Sequence, residues 1–254
     1  MDRGFIAVFD SGVGGISVMR ELIKLMPNED YVYFGDSKNA PYGEKTSDDV
    51  RRLTVEKISY LIEKGAKAVV IACNTATSVA ATVLRNMYPG IPVIGIEPAI
   101  KPAVSLKKDS VILCMATEVT LREDKFKSLV SNFEGDAKII PLACHGLAEL
   151  VEQGKTDNPE TEEYLKELLS EYIGKIDSVV LGCTHYPFVK NLIKKIMGDS
   201  VIVFDGGEGT ARETERRLNE SGIRKESDEK GEVLFENSLG TEDILKLSKK
   251  LLNL

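Results

Sequence analysis

The sequence of 254 residues lacks tryptophan, has only two histidines, and contains four cysteines with no close C-x-x-C pair among them. Structural zinc sites and disulfide frameworks usually depend on closely spaced cysteine or histidine residues, so neither is expected here. Free thiols in a reducing compartment fit this cysteine content better. We therefore predict no metal site and a cytoplasmic location.

The chain also lacks a long apolar run, a charged-then-apolar leader and an excess of basic residues. No apolar run approaches membrane-spanning length, and we expect neither a membrane segment nor an export signal. Because the first predicted strand begins close to Met1, we expect no long regulatory extension before it. The net charge of -7 gives no electrostatic footprint for nucleic acid. These absences favour action on a small molecule, with neither nucleic acid nor membrane as a partner.

Nucleotide-binding signatures are absent as well. Residues 12–15 read Gly-Val-Gly-Gly, which does not match G-x-G-x-x-G, and no lysine stands where a P-loop requires one. These glycines fall between a predicted strand and a predicted helix, where a tight turn can present backbone N–H groups to an anion. We infer no nucleotide site.

What the chain does have is an alternation of short apolar runs with amphipathic stretches. The apolar runs predict strands near 5–9, 31–34, 68–72, 92–96, 111–115, 137–141, 178–182, 201–204 and 231–236. The other stretches predict helices near 14–26, 47–64, 75–88, 119–132, 144–153, 160–173, 187–197, 208–221 and 241–252. This pattern is typical of an α/β protein with mainly parallel sheets flanked by helices.

Pro98 and Pro102 interrupt the alternation, and we place a domain boundary there. The second set of strands is complete before the last helix, strand and helix, so this tail is expected to return to the first domain. The sequence thus predicts two similar domains with the active site in the cleft between them. The first comprises residues 1–97 plus 206–254, and the second comprises residues 98–205.

Cys73 and Cys183 each stand at the end of a short apolar run, and a small hydrogen-bonding residue follows each. Both thiols therefore fall at the carboxyl end of a predicted parallel strand, where a helix begins. Two further apolar runs, 5–11 and 111–117, precede the cysteine strands at similar distances, which indicates an internal duplication. Two similar halves facing each other would present one cysteine to each side of a shared cleft.

Such a pair suits the inversion of a stereocentre by proton exchange, which needs a base on one face of a planar carbanion and an acid on the other. Sulfurs placed about 3 to 3.5 Å from the reacting atom would be roughly 6 to 7 Å apart. A disulfide would hold them about 2 Å apart. We expect helix N-termini to lower the pKa of both thiols, and we expect Cys114 and Cys144 to pack in the core.

Polar residues after the predicted strands have two interpretations. Asp10 could cap the next helix, receive an ammonium group or hold a proton for Cys73, and His185 could orient or protonate Cys183. Glu149 and Glu152 are one helical turn apart, on a solvated face or near the cleft. Helix caps, or donors to a compact zwitterion, are the alternatives for Ser11, Asn74, Thr75, Thr117, Thr120 and Thr184.

Together these residues resemble the glutamate racemases of the cofactor-independent aspartate/glutamate racemase superfamily. The matching positions extend over most of the chain in the family's order, at 9–15, 33–36, 41–43, 73–76, 116–117, 120 and 182–187. The chain departs from the pattern at 121–126 and at Cys144, where proline is common.

The resemblance implies interconversion of L- and D-glutamate without pyridoxal phosphate, metal or other cofactor, supplying D-glutamate for peptidoglycan, cell wall biogenesis and cell shape. It implies a homodimer. By matched position, Cys73 would take the α-proton from D-glutamate and Cys183 from L-glutamate, supported by Asp10 and His185 respectively. The other matched site residues are the helper acids Asp36 and Glu152, the α-group contacts Ser11, Asn74, Thr75, Thr117, Thr120 and Thr184, and the side-chain carboxylate contacts Pro41, Tyr42 and Gly43.

Three rival functions remain. An aspartate racemase of the same superfamily would use the same chemistry on a shorter substrate, although the turn at 41–43 argues for glutamate. A decarboxylase of this fold would need only one of the two thiols. A periplasmic-type binding protein would need an export signal and no paired thiols.

Overall fold

Residues 4–253, which the computed structural model describes, form two parallel β-sheets flanked by helices. The outermost positions of the predicted first domain, 1–3 and 254, lie outside the described residues. The central strands are continuous apolar runs because helices cover a parallel sheet on both faces. The α/β class predicted from the sequence is confirmed.

The first sheet has five parallel strands, β1 (Phe5–Asp10), β2 (Tyr31–Gly35), β3 (Ala66–Ile71), β4 (Val93–Gly95) and β9 (Val233–Asn237). Their spatial order is β4-β3-β1-β2-β9. The second sheet has four, β5 (Ser110–Ala116), β6 (Ala137–Ala143), β7 (Ser178–Leu181) and β8 (Ile202–Asp205), in the order β6-β5-β7-β8.

The internal duplication is visible in these strand orders. The run β4-β3-β1-β2 of the first sheet corresponds to β8-β7-β5-β6 of the second. Equivalent backbone hydrogen bonds close the two cysteine strands, because Ala72 N–H donates to Phe9 O at 2.8 Å and Gly182 N–H donates to Met115 O at 2.7 Å. Cys73 and Cys183 therefore occupy corresponding strand ends.

The helices between the strands are α1 (Ile16–Leu25), α2 (Ser47–Glu63), α3 (Asn74–Met87), α4 (Ile100–Val104), α5 (Glu118–Arg122), α6 (Asp124–Ser131), α7 (Leu147–Glu152), α8 (Pro159–Leu169), α9 (Lys190–Met197), α10 (Gly207–Glu220) and α11 (Glu242–Leu252). Short 3-10 turns lie at 37–39, 42–44, 170–172 and 186–189. Within residues 4–253, no helix combines the length and the apolar character that crossing a membrane requires.

Two predicted helices differ in detail from the structure, and one helix was not predicted. The single helix expected over 119–132 is interrupted at Glu123, whose extended backbone ends α5 and begins α6. A short helix, α4, forms where prolines were expected to interrupt the structure, because Pro102 occupies its first turn, where no backbone N–H is needed. The helix expected from 144 begins at Leu147, after Gly146 with a φ of 81°.

Apolar side chains fill the space on both faces of each sheet. In the first sheet, α2 and α3 cover one face and α1, α10 and α11 cover the other. In the second sheet, α7, α8 and α9 pack on one face and α4 and α6 on the opposite face. Because fully burying each such side chain stabilises the fold by about 1.5–3 kcal/mol, the frame that carries the two thiols is firmly held.

The C-terminal tail returns to the first sheet. Strand β9 pairs in parallel with β2, and a buried ion pair, Lys67 Nζ to Glu29 Oε2 at 2.7 Å, lies beside it. The same lysine donates to Ile223 O at 2.8 Å, while Glu29 accepts a hydrogen bond from Lys225 N–H at 2.7 Å. These contacts fix the segment between α10 and β9 against the first sheet.

Candidate active site

A cavity of about 340 Å³ lies where the carboxyl ends of strands from both sheets meet. The residues predicted for the site that line it are Ser11, Pro41, Tyr42, Gly43, Cys73, Asn74, Thr75, Thr117, Glu152, Cys183, Thr184 and His185. The predicted residues Asp10, Asp36 and Thr120 do not line it, and each is hydrogen-bonded to a residue that does. Among the described residues, those of the cavity wall include four glutamates and no lysine or arginine.

Cys73 is the N-cap of α3, directly after the extended end of β3. Its thiol donates to Ser11 Oγ at 3.5 Å, and its sulfur accepts a hydrogen bond from Ala76 N–H at 3.4 Å. Burial, aided by the nearby Asp10 carboxylate, raises the pKa of Cys73 to about 12. The expectation that the helix N-terminus would lower this pKa was wrong, because desolvation outweighs the favourable backbone contact. Burial therefore favours the protonated form of the Cys73 thiol.

Cys183 stands at the equivalent end of β7, but its surroundings differ. Its sulfur lies 3.6 Å from His185 Nδ1, and His185 Nε2 lies 2.6 Å from Glu152 Oε1. Burial alone would lower the pKa of His185, but its hydrogen bonds to Cys183 and Glu152 raise that pKa well above the usual value. The imidazolium can donate to both neighbours at once. Cys183, His185 and Glu152 therefore form one chain of hydrogen-bonded side chains.

Asp10 is fully buried beneath the cavity wall. Its Oδ2 accepts from Thr184 Oγ1 at 2.9 Å, and its Oδ1 accepts from Gly12 N–H at 2.9 Å. Burial raises the pKa of this carboxyl group. The helix-cap alternative is wrong, since α1 begins after Gly15 without a side-chain cap. Asp10 instead ties the end of β1 to the end of β7.

Asp36 also contacts a wall residue rather than a thiol. It is fully buried, and its carboxylate accepts from Tyr42 Oη at 2.7 Å and from Asn39 Nδ2 at 3.0 Å. Burial and this carboxylate raise the pKa of Tyr42, which therefore remains a hydroxyl donor. Asp36 thereby holds the turn at 41–43 against the cavity.

Three threonine hydroxyls join the two sheets on another side of the cavity. Thr75 Oγ1 lies 2.9 Å from Thr117 Oγ1 and 3.3 Å from Thr120 Oγ1, and the last two are 2.9 Å apart. Thr117 also caps α5, which confirms the helix-cap alternative for this residue. The buried amide of Asn74 has no hydrogen-bond partner among the described residues, which leaves its donor and its acceptor available to a ligand.

Sequence reasoning missed part of the wall. Cys144, expected in the core, packs there and also borders the cavity, whereas Cys114 is fully buried within β5. The available signal for Cys144 was its position directly after β6, since Asp36 directly follows the corresponding strand β2. The N–H groups of both residues bond to the end of the neighbouring strand, β5 or β1. No local signal marks Leu239 and Ile244. The wall residues given no role in advance are Ser37, Ala40, Glu44, Glu118, Cys144, His145, Gly146, Ala148, Gln153, Leu239 and Ile244.

The arrangement can place a proton carrier on each side of a small bound molecule. Two free thiols from corresponding strands reach one cavity, and neutral donors surround them where anionic groups of a ligand would need partners. Within residues 4–253, no group of three or more histidine, cysteine or acidic side chains is arranged to hold a metal ion.

Known proteins share both the sequence and this fold. Glutamate racemase from Clostridium novyi (strain NT) is 52% identical over 251 residues, covering 98% of this chain and 97% of that protein. The crystal structure of a glutamate racemase isoform from Bacillus anthracis matches with a TM-score of 0.89 at 30% identity, over 100% of this chain and 96% of that chain. The crystal structure of Francisella tularensis glutamate racemase in complex with D-glutamate matches with a TM-score of 0.86 at 27% identity, over 100% of this chain and 95% of that chain.

More distant proteins share the fold alone. Aspartate racemase from Picrophilus torridus is 17% identical, with a TM-score of 0.56 over 86% of this chain and 95% of that chain.

The model of the family described as Asp/Glu/hydantoin racemase matches residues 6–214, which is most of the chain. The chain belongs to the Asp/Glu/hydantoin racemase family.

Proposed function

We propose that this protein is a glutamate racemase that exchanges the α-proton of glutamate between Cys73 and Cys183. The observation that carries the proposal is that these two thiols, from corresponding strand ends of two sheets, line one cavity. The extensive identity to glutamate racemases supports glutamate as the substrate.

The two thiols take complementary parts in each direction. With L-glutamate, Cys183 as the thiolate removes the α-proton, and the protonated Cys73 delivers its own proton to the opposite face of the carbanion. The products are D-glutamate, a protonated Cys183 and a Cys73 thiolate. With D-glutamate the roles reverse. The raised pKa of Cys73 suits its part as the acid, because its proton is held until a strong base forms beside it.

Neutral donors would hold the substrate. The amide of Asn74, which has no partner among the described residues, would bind the α-carboxylate and α-ammonium groups of the substrate. The hydroxyl groups on both sides of the cavity would bind them as well; these belong to Ser11, Thr75, Thr117 and Thr184. In the turn at Pro41, Tyr42 and Gly43, the backbone N–H groups of Tyr42 and Gly43 would bind the side-chain carboxylate, with Asp36 fixing Tyr42. Asp10 and Thr120 would act one step away, by positioning Thr184 and Thr117. Ordered hydroxyl and amide donors avoid the desolvation cost of a buried lysine or arginine.

The same proposal extends to the cell. The D-glutamate that the protein makes would enter peptidoglycan and so support cell wall biogenesis and cell shape. The protein itself would act in the cytoplasm, as a homodimer. We also propose the domain division 1–97 plus 206–254 and 98–205. The pairing of β9 with β2 supports placing the tail with the first sheet.

Substrate choice is the first test. Without added pyridoxal phosphate or metal, the purified protein should racemise both enantiomers of glutamate and leave aspartate nearly unchanged, because in this proposal the turn at 41–43 binds the carboxylate of the longer side chain. Circular dichroism of each of the four enantiomers measures this, with chelator-treated protein as the control. Equal or faster turnover of aspartate would favour the aspartate racemase alternative.

Removal of either thiol should stop the exchange. Cys73→Ala and Cys183→Ala each leave one face without a proton carrier, and each should lower kcat by about a hundred- to ten-thousand-fold. The matched control is Cys114→Ala, since Cys114 is fully buried in β5 away from the cavity wall. It should lower stability by about 1 kcal/mol and keep its activity per folded molecule. Near-normal racemisation by either of the first two variants would rule out the two-thiol exchange.

The raised pKa of Cys73 predicts an unusual pH dependence of alkylation. An ordinary cysteine has a pKa near 8.5, so its thiolate fraction levels off above about pH 9.5. With a pKa of about 12, Cys73 in the folded protein should react about tenfold faster with each added pH unit from about pH 7 to pH 10. Iodoacetamide labelling with mass spectrometry of folded and urea-unfolded protein compares the two profiles. A plateau near pH 9 in the folded protein would mean that Cys73 is not held protonated.

A further inference from the structure

The glycine-rich loop at residues 12–15, which belongs to the first sheet, lies against the active-site face of the second. A Cβ atom added at Gly12 would stand 1.9 Å from Glu152 Oε1, and one added at Gly14 would stand 2.5 Å from His185 Nδ1. Neither glycine has a positive φ angle. A side chain at either position would therefore displace Glu152 or His185, while the backbone conformation itself does not require glycine.

Between the two glycines, the main chain of Val13 contacts the hydrogen-bonded side chains that support Cys183. Val13 N–H donates to Glu152 Oε1 at 2.7 Å, and His185 Nε2 lies 2.6 Å from the same oxygen. One carboxylate oxygen is thus fixed from two directions, by the loop and by the imidazole. A hydrogen bond from Ser17 Oγ to Thr184 O at 2.9 Å holds the loop and β7 together beside it.

Cys73 has no comparable dependence on the opposite sheet. Its two hydrogen-bond partners, Ser11 and Ala76, belong to the first sheet and its helix, as Cys73 itself does. The chain from Cys183 through His185 to Glu152, in contrast, ends on Val13 of the first sheet. Contact between the loop and α7 therefore matters to one thiol and not to the other.

We propose that the main-chain N–H of Val13 is a positioning group for Cys183. It holds the Glu152 carboxylate, and through it the His185 ring, in the geometry that proton transfer at Cys183 requires. The inference rests on the proposed two-thiol racemisation. Separation of the loop from α7 disables Cys183 while Cys73 remains competent, so full activity requires the two sheets to be in contact here.

An elimination reaction separates the two thiols, because it needs only the base that removes the α-proton. From β-chloroglutamate, the thiolate takes the α-proton, the electron pair forms the Cα–Cβ double bond, and chloride leaves. The resulting enamine tautomerises and takes up water to give 2-oxoglutarate and ammonia. The L-enantiomer reports on Cys183 and the D-enantiomer on Cys73. Racemisation rates cannot separate them, since the overall equilibrium links both directions.

Gly12→Ala is the diagnostic variant, because its methyl group displaces Glu152 from Val13. We expect elimination from the L-analogue to fall at least about tenfold relative to the D-analogue, since a displacement near 1 Å can cost about a hundredfold. The matched control is Gly209→Ala, where a Cβ meets nothing within 4 Å, and its L-to-D ratio should equal that of the wild type. Retained elimination from the D-analogue shows that the variant has folded.

Glu152→Gln supplies the second variant. It should lower the L-to-D ratio in the same direction, and Gly12→Ala combined with it should lower the ratio no further, because both changes act on one chain. Equal loss of both eliminations in Gly12→Ala, or additive losses in the double variant, would overturn the positioning role. If the wild type racemises glutamate but Gly12→Ala leaves the L-to-D ratio of elimination unchanged, this inference falls and the proposed function stands. Absence of glutamate racemisation by the wild type would instead overturn the proposed function.

Discussion

The contact between the carboxyl ends of two parallel sheets is the interaction on which the site depends. Each sheet supplies one thiol, and residues following strands of both sheets line the cavity between them. Two hydrogen bonds cross the contact, from Thr184 to Asp10 at 2.9 Å and from Val13 to Glu152 at 2.7 Å. They hold the two sheets together at the site. Because such bonds are made from buried or partly buried groups, breaking them leaves polar atoms without partners. The geometry of the two thiols follows from this contact.

Different neighbours make two chemically identical and similarly buried side chains unequal. Cys73 lies among neutral donors near a buried carboxylate, and its pKa rises to about 12. Cys183 lies beside His185, whose pKa is raised by its hydrogen bonds to Cys183 and Glu152. A cavity with unequal thiols starts each turnover with one acid ready. The described wall residues include no lysine or arginine. In the proposed function, the two carboxylates of glutamate would therefore be bound by hydroxyl, amide and backbone donors.

The sequence was sufficient for the frame and for the pair of thiols, because apolar runs mark buried parallel strands and Cys73 and Cys183 repeat at their ends. It was insufficient wherever packing between distant segments decides. Leu239 and Ile244 reach the cavity wall only because β9 returns beside β2. Desolvation of Cys73 depends on surroundings that no local motif encodes. The glycines at 12–15 predict a turn that can present N–H groups to an anion, and Val13 N–H does donate to the Glu152 carboxylate. That this anion is a side chain of the second sheet, which approaches Gly12 closely, could not be predicted from local sequence.

The most direct measurement of the central claim, that separate groups serve the two faces of the α-carbon, is early isotope incorporation. L-glutamate is racemised in deuterated water and the reaction is stopped at low conversion. The account predicts that the D-glutamate formed carries deuterium at the α-carbon, because Cys73 delivers a solvent-derived proton, while the remaining L-glutamate is nearly unlabelled. D-glutamate that retains its original α-hydrogen would show that a single group carries the proton from one face to the other, and would contradict the account.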